Sequence, residues 1–142
     1  MSQENVDLVR SAYAAYNEGD WEGARNVYHP EVIWDLSTYE GWPDTTEICG
    51  ADAVIDWLRD WASIYSDYYS KIDQIFDNGD QVVVLARPGG RERDSTEFAE
   101  MAWAQITTVR DGKIIRVQNY SDRAKALEAV GLSEQDARSD AP

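Results

Sequence analysis

Residue types that build metal centres and covalent crosslinks are scarce in this 142-residue chain. It has one cysteine, Cys49, and one histidine, His29, so an internal disulfide and a His/Cys metal cluster are both excluded. An acidic metal site stays open without a motif to support it, and we expect no metal or other cofactor. No stretch approaches the ~20 apolar residues of a membrane-spanning helix. The amino end, MSQENVDLVR, also lacks the pattern of a signal peptide, so we expect a soluble, cytoplasmic protein.

Positive charge is scarce as well. Lys and Arg number 13 against 27 Asp and Glu, which gives a net charge of −14 at pH 7. Such a field repels phosphate backbones and anionic lipid surfaces, so neither nucleic acid nor a membrane is an expected partner. Hydrophobic residues, at 43%, and aromatic residues, at 11%, are plentiful. They suffice for the core of one domain, and the chain is too short for two.

Hydrophobic periodicity predicts three helices with one early strand, followed by an antiparallel sheet. Apolar residues at helical spacing predict three helices, over residues 4–18, 20–28 and 52–65. Alternation predicts strands over residues 31–36, 69–76, 81–87, 96–109 and 113–121. A short helix is predicted after the last strand. A Gly-rich bend at 89–90 and an irregular loop at 37–49 connect these elements. The sequence thus predicts one α+β domain over residues 1–132 and a disordered acidic tail over 133–142.

The last predicted hairpin places a polar amide on an apolar strand face. Arg110-Asp111-Gly112-Lys113 has the composition of a tight turn between two strands. Beyond this turn, alternation puts Val117, Asn119 and Ser121 on the same face of the second strand. We therefore expect Asn119 on the buried side of the sheet.

Two stretches resemble the nuclear transport factor 2-like superfamily, in the branch of the SnoaL-type polyketide cyclases, ketosteroid isomerases and limonene epoxide hydrolases. They are LVRSAYAAYNEGDWEGARNVYHPEVIW and VRDGKIIRVQNYSDRAKALEAVG, which with the helix between them cover most of residues 5–132. The resemblance implies a cone-shaped, strongly curved antiparallel sheet wrapped around three helices, a cystatin-like α+β barrel. It also implies a ligand pocket at the open end of the cone and frequent dimerisation through the sheet. These signals concern fold, so they indicate family and not reaction.

Carried over residue by residue, the resemblance places no titrating group at the family's catalytic positions. The carboxylate of the cyclases and hydrolases falls on Asn119, and the cyclases' pocket histidine falls on Gln105. The cyclases' asparagine falls on Trp34, and the isomerases' base falls near Leu36. The isomerases' helix-one tyrosine falls on Ala12, and Tyr16, one turn later, is expected to reach the same space. The known catalytic sets are therefore incomplete in this chain.

The residues at these positions favour binding over proton transfer. An amide donates and accepts hydrogen bonds but does not take up a proton near neutral pH, so Asn119 and Gln105 suit the orientation of a carbonyl or hydroxyl. The alternative is that both amides only satisfy neighbouring protein groups. Tryptophans supply either pocket walls or core packing, and Tyr16 is favoured over Tyr13 for the pocket. The expected substrate-binding set is Tyr16, Trp34, Trp61, Trp103, Gln105, Val117 and Asn119.

Two carboxylates are candidates for a displaced catalytic base. Glu97 has the strand parity of the expected pocket residues, so it would be desolvated and have a raised pKa. Asp35 lies on the first strand, although alternation turns it away from the expected pocket face. Asp122 is predicted instead to cap the last helix, and His29 to stabilise the turn before the first strand.

Two classes of function stay open. The favoured one is a pocket protein that binds a neutral, largely apolar or aromatic metabolite without standard acid–base catalysis. The alternative is an enzyme of the cyclase, isomerase or epoxide-hydrolase type that uses Glu97 or Asp35. We also expect a homodimer through the sheet, because a single-layer sheet must cover its apolar outward face. On the predicted strand 96–109 that face carries Phe98, Ala102, Ala104 and Ile106.

Overall fold

The computed structural model describes residues 2–39, 47–93 and 95–132. The helices in these ranges are α1 (Ser2–Glu18), α2 (Trp21–Arg25), α3 (Ala51–Ser63) and α4 (Arg123–Ala129). The strands are β1 (Tyr28–Asp35), β2 (Glu47–Cys49), β3 (Tyr69–Asn78), β4 (Gln81–Arg91), β5 (Phe98–Glu100), β6 (Trp103–Arg110) and β7 (Lys113–Tyr120). The predicted α+β class is confirmed.

These strands form one strongly curved sheet that does not close on itself. The order is β2-β1-β7-β6-β4-β3, and β5 pairs with β4 outside this path. Paired strands are antiparallel except β1 and β7, which run parallel and set Trp34 opposite Val117. A parallel pair needs a long connection, and here all the elements from β2 to β6 lie between the two strands along the chain.

Different helices cover the two faces of the sheet. Side chains of α1 and α3 join the main hydrophobic core on one face, which we call the inner face. The opposite, outer face is covered by α4. Alternation along β4 shows the division, because Val82 and Val84 belong to the main core whereas Val83 and Leu85 pack with α4.

The outer face is less open than the sequence predicts. Ala104 packs with Leu127 of α4, and Ile106 is 2% exposed. Both were expected to meet a partner chain, but both are buried within the single chain, Ala104 because α4 folds back over β4, β6 and β7. Phe98 is different, since it is 49% exposed. The dimer itself stays a prediction.

Side-chain caps form where the sequence predicts them. The Asp20 carboxylate accepts a hydrogen bond from the Gly23 backbone N–H at 2.9 Å and caps α2. Asp122 caps α4 in the same way. His29 Nδ1 accepts a hydrogen bond from the Glu31 backbone N–H at 3.0 Å. His29 was predicted to stabilise a turn before the first strand, but it lies within β1, so this contact stabilises the start of that strand.

The turn between β6 and β7 begins the ladder that carries the candidate site. Asp111 and Gly112 have φ of +52° and +77°, the left-handed conformation that a two-residue type I′ turn requires at both positions. Arg110 then pairs with Lys113. The register shifts by one residue between Thr108 and Val109, and beyond this shift Gln105 lies opposite Asn119.

Some predicted boundaries are wrong. The strand expected over 96–109 is two strands, β5 and β6, broken at Met101 and Ala102. The Gly-rich bend lies inside β4, where a Cβ on Gly89 would come within 2.4 Å of the Ala99 carbonyl oxygen. Glycine is therefore required for β5 to approach β4. The short strand β2 forms within the segment that was predicted to be an irregular loop.

Parts of two predictions cannot be placed on the fold. The predicted tail over 133–142 and residues 40–46 of the predicted loop lie outside the described residues. Among the helices that are described, none is long and apolar enough to span a membrane.

Candidate functional site

A chain of three hydrogen-bonding side chains crosses the inner face. The Tyr13 hydroxyl on α1 donates to Gln105 Oε1, and Gln105 Nε2 donates to Asn119 Oδ1 at 2.9 Å. The two amides meet because β6 and β7 pair Gln105 directly with Asn119. The three side chains, which we call the amide chain, are 5%, 3% and 0% exposed. Both amides therefore lie on the inner face, as predicted from the sequence.

The tyrosine that reaches the amides is Tyr13, not the favoured Tyr16. Tyr16 is buried, but its ring packs on Tyr13 at 5.6 Å and on Trp21 at 6.3 Å between centroids. Residues three apart on a helix point about 60° away from each other, so the rotation of α1 allows only one of the two hydroxyls to face β6. Sequence spacing does not reveal that rotation.

A continuous strip of aromatic rings lies beside the amide chain. Successive ring centroids are 5.7 Å apart for Trp34 and Trp57, 6.3 Å for Trp57 and Trp61, and 6.4 Å for Trp61 and Trp103. Tyr39 meets the edge of Trp103 at 6.3 Å. We call these five residues the aromatic strip. It brings together all three tryptophans predicted from the sequence and adds Trp57, whose position four residues before Trp61 on α3 was the available signal.

The aromatic strip runs from the core to the surface. Trp34 and Trp103 are 1% and 3% exposed. Trp57, Trp61 and Tyr39 are only half-buried. Apolar faces are therefore accessible next to the buried amide chain, the combination expected of a site for a small organic molecule.

Val117 lies between the aromatic strip and the amide chain. It is 2% exposed on β7, opposite Trp34 of the neighbouring β1 and two residues before Asn119. These three predicted residues therefore form a contiguous patch of the inner face.

The tyrosine of the amide chain stays protonated at physiological pH. Burial raises the pKa of Tyr13 far above its ordinary value, Tyr68 acts in the same direction, and the indole of Trp103 acts against it. Burial raises the pKa of Tyr68 as well. Tyr13 is thus a fixed hydrogen-bond donor, and the amide chain contains no group that exchanges a proton near neutral pH.

Asp35 is held in an ion pair on the other side of its strand. Its carboxylate accepts hydrogen bonds from the Ser37 backbone N–H at 2.8 Å and from Arg116 Nη2 at 2.6 Å. Burial acts to raise the pKa of Asp35, but the hydrogen bonds from Ser37 and the charge of Arg116 together outweigh it and lower that pKa. Asp35 alternates with Trp34, so the fold does not bring it to the amide chain.

Glu97 lies in an exposed position before β5. The expectation that it is desolvated is wrong, because the predicted strand 96–109 is interrupted. Strand parity counted back from Gln105 therefore does not carry through to residue 97. Neither of the two candidate bases lies beside the amides.

Other features of the described residues lie apart from the amide chain. No three His, Cys, Asp or Glu side chains cluster there to hold a metal ion. Two surface cavities, of about 460 and 270 Å³, contain none of the amide-chain residues.

A curved sheet with a buried polar chain on its helix-covered face defines an α+β cone protein of the nuclear transport factor 2-like kind. The chain belongs to the SnoaL-like domain family, whose model matches residues 9–117. The resemblance stated from the sequence is thereby confirmed. No curated protein sequence matches the chain.

Solved structures share the fold at low sequence identity. An NTF2-like protein from Burkholderia xenovorans LB400 is 25% identical with a TM-score of 0.66, over 84% of this chain and 90% of that one. TerC, co-crystallised with polyporic acid, is 22% identical with a TM-score of 0.71, over 89% and 98%. A protein from Jannaschia sp. CCS1, assigned as a SnoaL-like polyketide cyclase, is 16% identical with a TM-score of 0.72, over 91% and 92%.

Proposed function

We propose that this protein binds a neutral, largely apolar small molecule on its inner face and does not carry out standard acid–base catalysis. The observation that carries the proposal is the amide chain itself. Tyr13, Gln105 and Asn119 form a fully buried hydrogen-bond network without a carboxylate or an imidazole. Such a network orients a polar group of a ligand but supplies no base.

The identity of Asn119 supports binding over turnover. The family resemblance places the catalytic carboxylate of the cyclases and hydrolases at this position, and the fold buries it completely. A carboxylate in such surroundings acquires a raised pKa and becomes a base near neutral pH, whereas an amide does not. Replacement by Asn119 therefore removes proton transfer and keeps a polar anchor.

The aromatic strip and the net charge define the kind of ligand. Flat tryptophan surfaces suit an aromatic, polycyclic or terpenoid compound. The charge of −14 favours neutral or cationic compounds over carboxylates and phosphates of the same size. TerC, which was crystallised with polyporic acid, supports small-molecule binding by this fold, although its ligand is named as an acid.

Two measurements test the proposal. The first is mass spectrometry of the compounds released when the purified protein is denatured. The second is tryptophan fluorescence quenching by neutral steroid, terpene and flavonoid-like compounds, compared with organic phosphates. We expect micromolar responses to some neutral compounds and weaker responses to the phosphates. A stronger response to organic phosphates than to their parent alcohols would contradict the proposal.

The enzymatic alternative requires a carboxylate beside the amides. Asp35 is paired with Arg116 on the opposite side of β1, and Glu97 is exposed. An enzyme that used either of them must lose activity as that group becomes protonated. A pH–rate profile on any substrate found would therefore distinguish an enzyme from a binding protein.

A further inference from the structure

Among the residues that the structure describes, buried N–H groups of the inner face lack a hydrogen-bond partner. Two of them are Asn119 Nδ2 and Trp34 Nε1, in side chains that are 0% and 1% exposed. Buried donors in folded proteins are nearly always paired, so a pair of orphan donors in one place points to a missing acceptor.

The two donors are neighbours on the sheet. Trp34 of β1 lies opposite Val117 of β7, and Asn119 is two residues further along β7 on the same face. Strand spacing and rise put their Cβ atoms about 8 Å apart, a distance that an indole and an amide side chain span together. One ligand atom or group can therefore meet both N–H groups.

Each amide oxygen nearby already accepts one hydrogen bond. Asn119 Oδ1 accepts from Gln105 Nε2, and Gln105 Oε1 accepts from the Tyr13 hydroxyl. The amide chain thus ends in an unpaired donor rather than an unpaired acceptor. The indole N–H of Trp103 also makes no hydrogen bond of good geometry with the described residues. This N–H lies near the Tyr13 hydroxyl and acts against the rise in the pKa of Tyr13.

We propose that Trp34 and Asn119 together recognise a hydrogen-bond acceptor oxygen, such as the carbonyl of an aromatic ketone or quinone. The inference rests on the proposed small-molecule function and narrows its ligand class. Trp57, whose ring lies 5.7 Å from that of Trp34, offers a half-buried aromatic face for the ring system that carries the oxygen. A hydroxyl group fits less well, because it must also place its own proton, and both amide oxygens of the amide chain already accept one hydrogen bond.

The test compares three tricyclic probes that differ at one position: 9-fluorenone, 9-fluorenol and fluorene. Equilibrium dialysis against the full-length protein gives the dissociation constant of each. We expect fluorenone to bind about tenfold more tightly than fluorene, the difference that one satisfied buried hydrogen bond makes, with fluorenol between them. A carbonyl acceptor should also move the indole N–H resonance of Trp34 downfield in ¹H–¹⁵N spectra, and fluorene should not.

Variants assign the effect to the two donors. Asn119→Leu and Trp34→Phe should each weaken fluorenone binding about tenfold and change fluorene binding less than about twofold. The matched controls are Gln118→Leu and Trp21→Phe. Gln118 directly precedes Asn119 and lies on the other face of β7, and Trp21 lies on α2. Both variants should leave the ratio of fluorenone to fluorene affinity unchanged.

The outcomes separate the inference from the proposed function. Equal affinity of the wild-type protein for fluorenone and fluorene overturns donor recognition but leaves small-molecule binding intact. This comparison needs no variant, so it holds even if a substitution prevents folding. Tighter binding of an organic phosphate together with no binding of any fluorene probe overturns both.

Discussion

Gln105 Nε2 donates to Asn119 Oδ1 at 2.9 Å across the β6–β7 ladder, inside a sheet face where both side chains are almost completely buried. Because Gln105 in turn accepts from Tyr13, an α1 side chain is tied to two residues more than 90 positions away along the chain. The pair therefore connects the first helix, the last hairpin and the candidate site in one network. Its members can be tested one at a time.

Tyr13→Phe should destabilise the protein, and Tyr16→Phe should not. Loss of the Tyr13 hydroxyl leaves the buried Oε1 of Gln105 without its donor, which costs ~1–3 kcal/mol. Tyr16 packs by its ring, so the matched substitution keeps that contact. Urea denaturation of both variants checks the expectation. Equal losses would mean that the Tyr13 hydrogen bond is not special.

Asn119→Asp should destabilise the protein more at pH 8 than at pH 5. Burial raises the folded-state pKa of an aspartate at this site above its unfolded value of about 3.9. The loss of stability is then absent below that value and grows as the pH rises through the folded pKa, to ~1–3 kcal/mol. Denaturation midpoints at the two pH values measure it, with Gln118→Glu on the other face of β7 as the control.

The same variant bears on catalysis. We expect wild type to abstract no proton from activated ketones and Asn119→Asp to gain isomerisation or aldol activity of ~10²-fold over background. If the variant is as stable as wild type at both pH values and its aspartate titrates near 4, residue 119 faces solvent and the site assignment is wrong.

Asp35→Asn should cost stability at pH 7 and much less at pH 3. The folded-state pKa of Asp35 is lowered, so its stabilising contribution is present above the unfolded pKa of about 3.9 and is lost as the pH falls through the folded value. Its hydrogen bonds from Ser37 and the partly exposed Arg116 suggest a loss of ~1–2 kcal/mol at pH 7. Chemical denaturation of both proteins at the two pH values tests this. Asp52→Asn, at an exposed ion pair with Arg25, should leave the midpoints unchanged.

Leu127→Ala should loosen α4 from the outer face. Leu127 is 1% exposed and packs with Phe76, Leu85 and Ala104, so truncation leaves a cavity that costs ~2–5 kcal/mol. Glu128→Ala, exposed on the same helix, should change stability by less than ~0.5 kcal/mol. Urea denaturation gives both values. A small effect of Leu127→Ala would show that α4 is not held by this contact.

The protein should form a homodimer through the part of the sheet that α4 leaves open. Phe98 is 49% exposed and stacks on Tyr69 at 5.5 Å, and an interface of ~1,200–2,000 Å² around it would cover both rings. Light scattering at micromolar concentration should give twice the 16.1 kDa of one chain, and Phe98→Ser should shift it toward the monomer. A single 16.1 kDa species from wild type would contradict the prediction.

The sequence by itself determined the local structure and the facing of the strands. Asp111-Gly112 specifies a turn with two positive φ values, and Asp20 and Asp122 specify helix starts, because each of these signals acts within a few residues. Alternation along the end of β7 places Asn119 on the same face as Val117. Its pairing with Gln105 depends on a register shift within the β6–β7 ladder, which the turn does not specify. The inner-face position of both amides was therefore predictable, whereas their direct pairing was not.

Only the tertiary structure decided how distant elements meet. The parallel pairing of β1 with β7 and the burial of the outer face under α4 depend on long connections that leave no local pattern. The choice of Tyr13 over Tyr16 depends on the rotation of α1 against the sheet. Strand parity failed at Glu97 because the break between β5 and β6 interrupts the alternation that such counting assumes. Periodicity assigns a side chain to a face, whereas packing across the core selects its partner.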